Sequence, residues 1–158
     1  MSGQGAEATE TTLRTLVDRY KVCWESFPEW SQIGGERKRT GSIVELYGTH
    51  DQPGVVPTAG CKHCIPVIQA LLQVADHVAG SAREELSSIR AHSGIEYAVE
   101  RGARPDIVVA LTFGLSKGVP AAGTETPLDE VRNQLRRLGA SERSWQGSTR
   151  DSPMETPR

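Results

Sequence analysis

Residues 106–113, DIVVALTF, constrain this chain more than any other stretch. A run so rich in β-branched residues reads as a strand. A strand cannot stand alone, because it needs paired neighbours and a cover for its apolar face. Residues 42–47, SIVELY, supply a second strand by the same criterion. Ile95, Tyr97 and Val99 alternate as a third, and the five-residue bend 101–105 joins it to DIVVALTF as an antiparallel hairpin.

The cover comes from segments with helical periodicity. Leu13, Leu16, Val17, Tyr20, Cys23, Trp24 and Phe27 recur at spacings of three and four. They predict an amphipathic helix capped by Thr9, Thr11 or Thr12 and ended by Pro28. Trp24, Phe27 and Trp30 would then close off a core at the end of that helix, and residues 31–41 read as a charged loop. A second helix opens within residues 63–65, keeps Pro66 in its first turn and stops at Gly80. Its inner face is Ile68, Leu71, Leu72, Ala75 and Val78. Residues 81–92 are ambiguous, with Leu86 and Ile89 suiting a short helix. The final helix has Thr126 as N-cap, Pro127 in first position, acids in its first turn, arginines in its last and Gly139 as its stop.

The order helix, strand, helix, strand, strand, helix predicts a small two-layer α+β (or α/β) domain. It has about three strands and three to four helices. The domain spans residues 12–140, with residues 1–11 and 141–158 expected to be disordered. A length of 158 residues suits one such domain, and the low hydrophobic fraction of 37% fits a modest core with unpacked ends. A net charge of −2 argues against a general nucleic-acid or membrane-surface binder. No basic start precedes an apolar run and no stretch approaches the roughly 18 apolar residues of a membrane span, so the expected setting is the reducing cytoplasm. A protein partner is compatible with the aromatic cluster.

Three cysteines are too few for a disulfide scaffold. Two of them nevertheless form Cys61-x-x-Cys64 at the mouth of a helix, after a loop rich in glycine and proline. Thiols at this spacing hold one soft cation, or close into a disulfide, and a helix N-terminus favours the thiolate that either use requires. His50 precedes the pair by eleven positions, so the loop can fold back onto it. The set His50, Cys61 and Cys64 is the mixed nitrogen and sulfur donor set that Zn2+ prefers. Candidates for a fourth ligand are His63, Cys23 and His92, although Cys23 on the apolar helix face suits core packing better. The zinc-deaminase pattern is not met: His50-Asp51-Gln52 lacks its glutamate and Gly60 stands in place of its proline. Inert cysteines in an interaction module remain a third reading beside metal and redox chemistry.

A strand, a CxxC opening an amphipathic helix, a hairpin and a last helix together resemble the thioredoxin-like family over about residues 42–138. The resemblance implies a thiol–disulfide oxidoreductase with Cys61 attacking and Cys64 resolving. Pro105 stands where the family has its cis-proline. Gly60 departs from the aromatic residue usual before the first cysteine.

Overall fold

The computed structural model describes residues 9–52, 57, 60–92, 107–114 and 127–143. Helix α1 (Glu10–Arg19) starts at Thr9, whose hydroxyl accepts the Thr12 amide. It ends well before Pro28. Tyr20 takes the C-cap, and Lys21 turns the chain back at φ 55. Strand β1 (Cys23–Ile33) follows, so the single long helix expected over residues 12–27 is a helix and a strand. The two periods overlap here. Tyr20, Cys23, Trp24 and Phe27 satisfy a helical spacing, but Val22 and Trp24 also fit a strand, in which Trp24 takes the helix-covered face of the sheet and Glu25, also buried, the opposite one. Trp24 is fully buried while Trp30 is 46% exposed, so the three aromatics do not close a core together.

Strand β2 (Glu36–Gly48) returns antiparallel to β1 through Gly34 and Gly35, both at positive φ. Two consecutive left-handed residues are what a two-residue hairpin turn with the twist of its strands requires. The charged loop expected at residues 31–41 is therefore the tip of a ribbon. Helix α2 (Cys64–Ala79) comes next, within a residue of its expected bounds. Pro66 lies in its first turn, where backbone N–H groups have no partner inside the helix.

A 3-10 segment (Gly80–Glu85) leads into β3 (Leu86–His92), so the stretch that suited a short helix is largely a strand. β3 pairs antiparallel with β4 (Ile107–Gly114), the DIVVALTF strand. The hairpin partner expected at Ile95, Tyr97 and Val99 lies outside the described residues. Helix α3 (Pro127–Arg137) carries acids in its first turn and arginines in its last, with Gly139 at φ 91 ending it. A two-residue β5 (Ser141–Glu142) then pairs parallel with β1.

Among the described residues the architecture is three helices and one five-stranded sheet of order β3-β4-β2-β1-β5. The α+β class stands, with five strands rather than about three. The helices cover one sheet face. There Trp24, Val44, Leu46, Val109, Leu111 and Phe113 pack with Leu13 and Val17 of α1, Val67, Leu71 and Val74 of α2, and Val131 and Leu135 of α3. Register places Trp24, Leu46 and Val109 side by side, so this face is a continuous apolar surface. Burying such a surface is the main stabilising term of a domain this size.

Candidate metal centre

The site is assembled at one end of the sheet, where β2 delivers His50 and α2 begins. The Thr49 amide donates to the Tyr20 carbonyl, tying the segment after β2 to the end of α1. Gly48 lies against α2: a Cβ there would stand 2.9 Å from Val67 Cγ1 and 3.4 Å from Leu71 Cδ2. The absence of a side chain at residue 48 thus lets the first turns of α2 approach the strand. Cys61 and Cys64 are joined by a turn in which the Cys64 amide donates to the Cys61 carbonyl at 3.2 Å.

His50, Cys61 and Cys64 come together, with one ligand atom from each lying within 4.8 Å of the others. Tetrahedral bonds of about 2.3 Å to sulfur and about 2.0 Å to nitrogen put ligand atoms about 3.5–3.8 Å apart. Side-chain adjustments of about an ångström therefore close the group on an ion. His50 is only 5% exposed, and its Nε2 is buried with no hydrogen-bond partner among the described residues. A buried polar atom without a partner costs about 1–3 kcal/mol, and a bound cation removes that cost. Cys64 is buried and Cys61 half-buried. No acid occupies the first turn of α2, whose positive end would favour the thiolate form that metal binding requires.

The candidate fourth ligands are placed differently. His63 is the N-cap residue of α2, half-buried, with its ring centroid 5.9 Å from that of His50. It borders the three-residue group without belonging to it. Cys23 is on β1 opposite Tyr47, not on a helix, and lines a cleft of about 340 Å³ with Arg14, Asp18, Lys21 and Leu138. It is outside the group. His92 ends β3, and its side chain lies outside the described residues, as does Pro105.

The sheet face away from the helices holds a cluster that the sequence reading did not single out. Glu25 and Glu45 are cross-strand partners, and the Tyr47 hydroxyl reaches both carboxyls. All three side chains are buried. Burial first, and then the neighbouring carboxylates, push the Tyr47 phenol far above its ordinary range, so it remains a protonated donor. The Arg143 guanidinium lies 4.1 Å from the centroid of the Tyr47 ring. Only the β1–β2 register brings these residues together. The alternating Glu45 and Tyr47 within SIVELY were the one available signal.

No helix of the described residues is long and apolar enough to cross a membrane. Comparison with family models, with curated proteins and with solved structures gives no match to this chain.

Proposed function

We propose that this chain is a small cytoplasmic zinc-binding protein whose site is His50, Cys61 and Cys64. The observation that carries this reading is the gathering of a His50 ring nitrogen and the sulfurs of Cys61 and Cys64 within 4.8 Å, around a buried histidine whose Nε2 has no hydrogen-bond partner among the described residues. Bound zinc would have a structural role, clamping the segment after β2 onto the start of α2, and His63 is the nearest side chain for a fourth position. In a neutral ring, the Gln52 amide donating to Nδ1 at 3.3 Å places the ring proton on Nε2. Coordination through Nε2 would require the ring proton to leave Nε2 for Nδ1; the Gln52 amide would then lose its acceptor, a change its NMR resonance would report. Elemental analysis of untagged protein should find one zinc per chain, with Cys61 and Cys64 protected from alkylation. A metal-free preparation that takes up no added zinc overturns the reading.

A second reading has an observation of its own. Cys61 is half-buried and Cys64 buried at a helix start, the division of exposure that an attacking and a resolving thiol need. This reading makes the protein a thiol–disulfide oxidoreductase, and it predicts zinc-free protein in which Cys61 alkylates faster than a peptide thiol. If both cysteines can become serine with no change in zinc content, stability or thiol exchange, the chain is an interaction module with incidental cysteines.

A further inference from the structure

Among the described residues the β1–β2 ribbon outruns the rest of the sheet. β4 pairs with β2 only as far as Gly41, opposite Gly114. β1 and β2 nevertheless stay paired to Ile33 and Glu36. Among the described residues, 30–33 of β1 and 36–40 of β2, or roughly 14–17 Å at the usual rise, therefore extend past β4 as a two-stranded arm.

The register sorts the side chains of this arm. Trp30 lies opposite Arg39 and Gln32 opposite Arg37, so these four share one face. Ser31, Ile33, Glu36 and Lys38 take the other face, where Lys38 meets Glu36 at 3.9 Å. Trp30 is 46% exposed, and the Arg37 guanidinium lies 4.9 Å from its ring centroid. Arg39 donates to the Gly41 carbonyl and the Ser42 hydroxyl, both neutral acceptors. Among the described residues, no carboxylate lies within ion-pair distance of Arg37 or Arg39. Among the described residues, one face of the arm thus carries a half-exposed indole with Arg37 against its ring, and two guanidinium groups with no carboxylate partner.

We propose that this face binds single-stranded nucleic acid, with a base stacking at Trp30 and phosphates held by Arg37 and Arg39. Each nucleotide offers a flat π-face and an anion, which are the two things the face can use. An acidic peptide satisfies the arginines but leaves the indole exposed, and a duplex keeps its bases stacked away from it. The chain's net charge of −2 describes the whole surface and not this face. The arm shares no residue with the metal group, so the proposal stands or falls independently of zinc.

The test is fluorescence anisotropy of a labelled oligothymidine with the full chain, titrated with salt from about 50 mM. Trp30→Ala should weaken binding about fivefold to a hundredfold, the range for losing one stacked base, and Trp30→Phe should restore part of it. Arg37→Ala with Arg39→Ala should lower the slope of log affinity against log salt by about 1.4, or about 0.7 per phosphate. Arg83→Ala is the control, because this exposed arginine already pairs with Asp76 of α2 and belongs to neither strand of the arm. Thermal melting checks that each variant is folded. The proposal is overturned by any of four results: no binding at low salt, an equal loss in Arg83→Ala, duplex DNA or polyglutamate bound as tightly as the single strand, or full binding by folded Trp30→Ala.

Discussion

Replacing Gly48 by alanine tests how the fold makes the metal centre. The new Cβ would stand 2.9 Å from Val67 Cγ1 and 3.4 Å from Leu71 Cδ2. Comfortable carbon contacts begin at about 3.5 Å, so roughly half an ångström must be found at Val67. Val67 and Leu71 are fully buried, leaving little room for either to swing away. Relief therefore comes from lifting the N-terminal half of α2 off β2, and overpacking of this kind costs about 1–3 kcal/mol. Urea unfolding should show that loss as a lower midpoint with an unchanged m-value. Val67→Ala removes the methyl that clashes, so the double variant should be more stable than the two single losses predict, by about 0.5–3 kcal/mol. Cys64 begins the same helix, one turn before Val67, so the displacement also pulls the thiols away from His50 and zinc affinity should fall with stability. A Gly48→Ala protein within about 0.5 kcal/mol of the parent, with no coupling to Val67→Ala, would refute the reasoning.

Three further outcomes follow from the same contacts. Saturating zinc at about a thousandfold above its dissociation constant stabilises the native state by about 4 kcal/mol, so calorimetry with and without chelator should show a Tm difference of several degrees. His50→Ala should abolish that difference, whereas Cys23→Ser, outside the ligand group, should leave it intact. Tyr47→Phe strips a buried hydroxyl from the Glu25 and Glu45 carboxyls and should cost about 1–3 kcal/mol by chemical denaturation. Because the folded state raises the Tyr47 pKa, its contribution is fully present below the unfolded value near 10 and is lost as pH rises above it. Phenolate absorbance of Tyr47 should accordingly appear only with alkaline unfolding, and a Tyr47 that ionises in folded protein near pH 10 contradicts this account.

Where one period dominates, local structure was legible along the chain. α2, α3 and β4 sit close to their expected positions because apolar spacing, caps and β-branched content all agree there. β1 was not legible. Its first residues satisfy both a helical and an alternating pattern, and only the reversal at Lys21 and pairing with β2 choose between them. The ribbon tip hid for a different reason: Ser31, Gln32 and Glu36–Arg39 present no apolar alternation, because neither face of the arm is buried. Gly34-Gly35 was the one local sign of the turn.

The candidate site divides along the same line. Two cysteines three positions apart at a helix start are joined by local geometry, so their spacing alone marks them as a pair. His50 reaches them through the approach of α2 to Gly48, a contact between segments that no local pattern encodes. The Glu25, Glu45 and Tyr47 cluster depends on strand register, as does the division of the arm into a basic aromatic face and a paired one. Helix period, turn chemistry and motif spacing are properties of neighbouring residues, and the sequence determines them by itself. Which distant side chains meet, and which charges are left without a counterion, is decided by pairing and packing, and so by the tertiary structure alone.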